Sequence, residues 1–320
     1  MFSFIIRRLV SAFFVMFSIS VMVFLIFFAT PGVNPAARIA GRSASPQVLA
    51  QVSAEFGLNR PLPIRYALMM WHLFFKQDLT SYVNIGVKVI PQITGAAPVT
   101  LSLIVGAAVI WLVVGVALGV VAAANRGKWI DPLIMFGGIA AVSIPVFWLG
   151  QVVSLLIQRK FHSVFSWLPG SGFVPLTQSP WQWALHLLLP WLTLATLYAG
   201  VYARVLRAEL VNAMNEDYVR TARAKGLAET AVMFRHVLKN GMIPILTGAV
   251  VVIPSLFMGA LITESFFGIP GLGSYTIDAI QAQDFSVVRS MVFLGSVLYI
   301  AGLLLTDISY TMVDPRVRFE

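Results

Sequence analysis

Residues 99–124 read VTLSLIVGAAVIWLVVGVALGVVAAA, an unbroken run with no charged side chain. A helix rises about 1.5 Å per residue and needs about 20 residues to cross the hydrocarbon core of a bilayer, so this run is long enough to span. Outward from it lie five more candidate spans: Leu9–Thr30, Pro132–Gln158, about Leu185–Val205, Met242–Thr263 and Ser290–Met312. The run near Leu185 has the weakest edges, and the last carries one acid, Asp307. The composition agrees: of 320 residues 58% are hydrophobic and only 11% charged, with a mean hydropathy of +0.86, whereas soluble domains carry roughly 25% charged residues. The expectation is an all-α integral membrane protein with six transmembrane helices, organised as a single domain over residues 1–320.

Several function classes drop out on composition. The net charge of +9 is spread over loops between apolar runs, as orientation in a membrane requires, and does not point to nucleic acid. The absence of cysteine excludes disulfides, zinc–thiolate sites and thiol catalysis. No G-x-x-x-x-G-K-[ST] occurs, so ATP phosphates are not expected to bind this chain. The histidines, His72, His162, His186 and His236, are too far apart in sequence for metal-ligand spacing, and no metal site is expected. The spans hold no nucleophile with a base, which argues against a membrane-embedded protease. They show no inverted repeat, which argues against a stand-alone ion-coupled transporter. MFSFIIRRLVSAFF at the start looks like a signal peptide, but Leu9–Thr30 is long enough to span and no A-x-A-like site ends it, so a retained first helix is expected.

Loop charge sets the expected orientation. With the N-terminus inside, 13 of the 22 Lys/Arg fall in the cytoplasmic segments, and six of the remaining nine lie in the long loop 31–98, which translocates largely regardless of charge. Both termini are then cytoplasmic. In the outer loop Ser45 can cap a helix with Pro46 at its first position and Gly57 at its end, and the apolar stretch Tyr66–Phe75 suits the membrane surface. Pro145, Pro190, Pro244 and Pro254 fall within spans and can kink them.

The largest cytoplasmic loop, 204–241, contains EDYVRTARAKGL, Glu216–Leu227. Asn215 or Asp217 can cap a short helix that Gly226 stops, with acids at its positive end and Arg223 and Lys225 at its negative end. A helix this short is marginal alone in water. Tyr218, Thr221, Ala222 and Lys225 share a face by i, i+3, i+4 spacing. Two readings fit: a basic helix lying on anionic headgroups, or a helix seated in a protein groove. A second helix, about Glu229–Leu238, leads back to the membrane at Pro244.

DYVRTARAKGL followed by RHVLKNGMIPIL resembles the cytoplasmic coupling loop, or EAA loop, of ABC-importer permeases. The chain is most similar to the B-type permease subunit of dipeptide, oligopeptide and nickel importers. The resemblance extends over IIRRL, FGLNRPLPIRY, SIPVFWLG, TESFFGIPGLGSYTIDAI and the terminal DPRVRF. There are departures: the family's P-G-D-P reads Pro31-Gly32-Val33-Asn34-Pro35, its G-D-L-G reads Gln77-Asp78-Leu79-Thr80, and the proline of the broader coupling pattern is replaced by Lys239. The resemblance implies a type I ABC importer permease in the bacterial inner membrane, not itself an enzyme. It would pair with a second homologous permease, two ATPase subunits that bind the ATP and Mg, and a periplasmic or lipid-anchored substrate-binding protein. It also implies that Tyr218, Thr221, Ala222, Ala224, Lys225 and Gly226 form the coupling element, with His236 a structural hydrogen-bonding residue on the return helix. Dipeptides, oligopeptides, glutathione-like peptides and nickel chelates are all cargo of this permease type.

Two further features invite a role. Glu264 ends the fifth span just before a turn that holds Phe266, Phe267, Pro270, Gly271 and Gly273. Aromatics and turn glycines there suit a periplasmic gate or docking tip, or a plain turn, and Glu264 suits an interfacial anchor, a loop cap or the pathway wall. Asp307 lies at membrane depth, where an acid is costly without a partner, and pairing with a cytoplasmic-end arginine is expected.

Overall fold

The computed structural model describes residues 2–28, 35–40, 44–55, 57–81, 83–84 and 87–313. The departure at 31–34 and the terminal DPRVRF lie outside them. In lipid a backbone must satisfy its own hydrogen bonds, and the apolar runs accordingly become helices. In chain order these are α1 (Phe2–Phe28), α2 (Pro35–Ala40), α3 (Pro46–Glu55), α4 (Leu62–Trp71), α5 (Val89–Ala124), α6 (Ile130–Ser143), α7 (Val146–Leu155), α8 (His162–Phe165), α9 (Pro180–Ala213), α10 (Asp217–Ala224), α11 (Glu229–Val232), α12 (Leu238–Phe267), α13 (Leu272–Gln281) and α14 (Phe285–Val313). Single π-helical turns follow α4, α7 and α11 at His72–Lys76, Leu156–Lys160 and Met233–Val237. The only bridge pairing among the described residues joins Thr80 to Lys88.

α1, α5, α9 and the stretch Ser286–Leu304 of α14 are each long and apolar enough to cross a membrane. Two further crossings are bent: α6 with α7 and its π turn, by 100°, and α12, by 49° between Val252 and Ser255. Each bent pair counted as one span gives six. The third span, expected as a continuous Pro132–Gln158, is therefore a corner. Pro145 supplies no N–H and disfavours the helical region for the residue before it, and Ile144 is extended at φ −94°, ψ 125°. Boundaries move too: α5 starts at Val89, ten residues before the apolar run, and α9 covers Pro180–Ala213, well beyond the expected 185–205.

The chain forms two compact units, residues 1–99 with 271–304, and residues 100–270 with 305–318. In the first, Tyr66 of α4 anchors α1: its hydroxyl lies 2.6 Å from Ser20 Oγ, and Phe17 and Phe24 pack edge-on against its ring. α3 forms as its punctuation requires, with Val48 N donating to Ser45 Oγ at 3.4 Å and Gly57 left-handed at φ +57°. Asp284 accepts from Ser81 Oγ and from Val287 N, holding the start of α14 against the Thr80–Lys88 segment.

In the second unit α9 is the central post. Trp111 of α5 is fully buried between Tyr198 and Tyr202, and Trp191 Nε1 donates to the Ser102 carbonyl. α6 crosses α9 where Gly138 meets Gly200: a Cβ on Gly200 would sit 2.8 Å from the Gly138 carbonyl oxygen, so only glycine permits this approach. Since lipid tails are as apolar as leucine, such close packing rather than the hydrophobic effect holds membrane helices together. Apolar side chains such as Val113 and Phe136 stay 64% and 70% exposed.

Candidate functional site

α10 and its exit are built from local signals. Glu216, not Asn215 or Asp217, is the N-cap, and it makes no side-chain cap bond. The Asn215 amide instead donates back to the Val211 carbonyl, and Asp217 lies in the first helical turn, where its charge favours the dipole. At the other end Leu227 N donates to Ala222 O and Gly226 N to Arg223 O, the paired bonds of a Schellman stop. Gly226 is left-handed at φ +77°.

The expected common face of α10 divides. Val219 and Ala222 are buried, at 0% and 4% exposure, because α10 lies against α11 and the Met233–Val237 turn of its own chain, whose Val232, Met233 and Val237 are buried as well. Ala222 thus faces its own loop, while Tyr218, Thr221, Ala224, Lys225 and Gly226 are exposed. Tyr218, Leu227 and Phe234 leave 38%, 40% and 61% of their surface uncovered. His236, half-buried in the π turn, makes no side-chain hydrogen bond among the described residues, so the expected structural bond is not formed there.

An ion pair closes the unit: Arg223 Nη2 and Nε reach Glu229 Oε1 and Oε2 at 2.6 and 3.1 Å. The Arg223 hydrogen bond and charge hold the Glu229 carboxyl below its ordinary value. Arg220 lies 3.6 Å from Asp217 across one turn. A more buried pair sits toward the C-terminal end of α9, where Arg207 binds Asp131 of α6 through both oxygens, at 2.7 and 2.6 Å. Sequence spacing gave no sign of it, since the partners are 76 residues apart.

The turn after the fifth span is tighter than its sequence implies. α12 continues through Phe266 and Phe267, and α13 begins at Leu272 with Gly271 as N-cap, so Gly273 is helical. The left-handed residue is Gly268, φ +61°, and Ile269 N returns to Glu264 O at 2.9 Å. Glu264 has no exposed surface and accepts from Thr100 Oγ1 at 2.6 Å, a helix-to-helix tie rather than an interfacial anchor. Phe267 is buried, its carbonyl accepting from Gly172 N. Phe266 and Pro270 are exposed, and Phe266 stacks on Phe147. Asp307 lies on α14, but its side chain falls outside the described residues.

Comparison with known proteins adds the family. Residues 115–319 match the binding-protein-dependent transport system inner membrane component, and residues 1–104 match the N-terminal region of such membrane components. A protein of Brucella abortus named as a peptide transport system permease is 37% identical over 317 residues, 99% of either chain. The dipeptide transport system permease protein DppB of Alkalihalophilus pseudofirmus is 31% identical over 98% of either chain. The glutathione transport system permease protein GsiC of an Escherichia coli O6:H1 strain is 35% identical over the full length of both. A chain from the crystal structure of an amino acid ABC transporter shares the fold at a TM-score of 0.51, with 16% identity over 70% of this chain and 94% of that one.

Proposed function

This chain belongs to the family of inner-membrane components of binding-protein-dependent transport systems, and on that premise we propose that it is the translocation subunit of an ATP-driven importer of di- and oligopeptides. It is a multi-pass membrane protein of the transport machinery, and the family implies ATPase and substrate-binding-protein partners. In our reading a second, homologous permease completes the path, two ATPase subunits bind the cytoplasmic face with ATP and Mg, and both termini are cytoplasmic, as the Lys/Arg bias supports. Closure of the ATPases moves α10 as a rigid piece, and the helices tied to it alternate the path between inward and outward openings. The peptide cargo is supported by the names of the relatives, one of which carries glutathione, itself a tripeptide.

The observation that carries this reading is the division of α10. Its own chain grips it through Val219 and Ala222 and leaves Tyr218 exposed on a charged loop, the arrangement of a knob offered to a second protein. The lipid-surface reading is weakened because Arg223 is engaged by Glu229 and Arg220 lies beside Asp217. Tyr218→Glu should release the ATPase subunits or uncouple hydrolysis from substrate, whereas Arg220→Gln should leave both intact. The check is to purify the complex and measure retained ATPase subunit and substrate-stimulated hydrolysis. Full assembly and stimulation in Tyr218→Glu would sink the coupling assignment.

A further inference from the structure

The two sides of α6 differ in what meets them. Asp131 and Gly138, about two turns apart, face α9: the first binds Arg207 and the second touches the backbone of Gly200. The opposite side carries Trp129 at the N-cap, then Leu133 and Phe136, which at i, i+4 and i+7 form one stripe. These three side chains are 73%, 57% and 70% exposed.

The turn that leads into α6 adds charge to one end of the stripe. Gly127 is left-handed at φ +81°, and Lys128 N and Asp131 N donate to the Asn125 and Lys128 carbonyls. Arg126 and Lys128 are left exposed beside Trp129. Lys128 Nζ reaches the neutral Asn125 Oδ1 at 3.5 Å, and neither cation forms an ion pair among the described residues. The nearest acid in sequence, Asp131, is held by Arg207 through both oxygens. The arginines of α10 differ in this respect, since Arg220 and Arg223 each lie beside a carboxylate.

From the turn along α6 the order is two cations, an indole, then aliphatic and phenyl groups, with Trp129 and Phe136 about 10 Å apart along the axis. A bilayer leaflet presents the matching order: anionic headgroups, a boundary where tryptophan collects, then acyl chains. The core of a subunit interface is instead depleted of charge. We propose that the α5–α6 turn and this stripe bind an anionic phospholipid, with its phosphate on Arg126 and Lys128 and an acyl chain against Leu133 and Phe136. Placing that lipid in the cytoplasmic leaflet rests on the orientation proposed above; the lipid contact itself does not.

The test puts the chain, assembled with its partner subunits, into lipid nanodiscs with a nitrobenzoxadiazole fluorophore on Phe136→Cys. This chain has no cysteine of its own, and the unsubstituted complex, labelled in parallel, gives the background. Acyl-brominated phosphatidylglycerol should quench at a mole fraction about ten-fold or more below that needed for acyl-brominated phosphatidylcholine. Arg126→Gln and Lys128→Gln should each cut that preference about five-fold, the worth of one basic residue at an anionic surface, and added salt should weaken it. Both residues are exposed, so these variants should keep the unfolding midpoint. Equal quenching by the two lipids, no quenching by either, or a preference that survives both substitutions together would overturn the proposal. So would a cross-link from position 136 to a partner subunit, which would show protein covering the stripe. A separate Lys128→Cys chain reports the side: reaction with impermeant maleimide from outside, alongside an intact lipid preference, removes the orientation and leaves the lipid site standing.

Discussion

Ala222 and Tyr218 are four residues apart on one short helix and do opposite things. Ala222 is the contact with the helix's own chain and Tyr218 is the exposed neighbour, so substitution should separate them. Ala222→Glu would bury an unpartnered carboxylate, at a cost of several kcal/mol, and should open the loop to limited proteolysis even in the isolated chain. Tyr218→Glu should leave the cleavage pattern unchanged. Equal protease resistance of both variants would contradict the buried setting of Ala222. Gly226→Ala should cost about 1 kcal/mol, because φ is +77° and nothing lies within 4 Å of the added Cβ; the penalty is backbone strain alone. The glycine stop was legible in the sequence, since it depends on one residue's conformational freedom. The partner of Ala222 was not, because i, i+4 spacing says which residues share a face and not what covers it. The same holds for Glu264, whose Thr100 partner is 164 positions away.

Among elements, the α10–α11 pair depends on the Arg223–Glu229 bridge, and its pH response has a definite sign. The Glu229 carboxyl is lowered from 4.5 in the folded loop, so its contribution is fully present above 4.5 and is lost as pH falls through the lower folded value. Both side chains are substantially exposed, 40% and 64%, so the effect is small and screened by salt. Hydrogen exchange at Leu227 and Glu229 should quicken, beyond the intrinsic pH dependence, on acidification below 4.5, and Glu229→Gln should reproduce the change at pH 7. An insensitive variant would show that the bridge contributes nothing. At α6–α7, Pro145→Ala lifts the steric bar on Ile144. If proline alone makes the 100° corner, spin labels placed on α6 and α7 should move apart as the two helices straighten; an unchanged separation would assign the corner to packing against α9. The sequence marked Pro145 as a place to bend, but the size of the bend is set by contacts that no local pattern contains.

For the whole molecule, the natural lack of cysteine makes topology directly testable. Single cysteines at Asn59, Ser171 and Ala282, all exposed, should react with a membrane-impermeant maleimide from the outside, and those at Lys128 and Glu216 should not. Protection at Ala282 would sink the six-span order. The spans were the most legible feature because each is a local run of apolar residues. The Asp131–Arg207 tie was the least, since it joins residues 76 positions apart whose meeting depends on how α6 and α9 pack. Between that tie and the corner at Pro145 lies the Gly138–Gly200 crossing, where two backbones touch with no side chain between them. Rotation at an ordinary helix contact must re-seat interlocked side chains, whereas here there are none to re-seat. The crossing therefore has the geometry of a pivot between α6 and α9, with Arg207 clamped to Asp131 on one side of it.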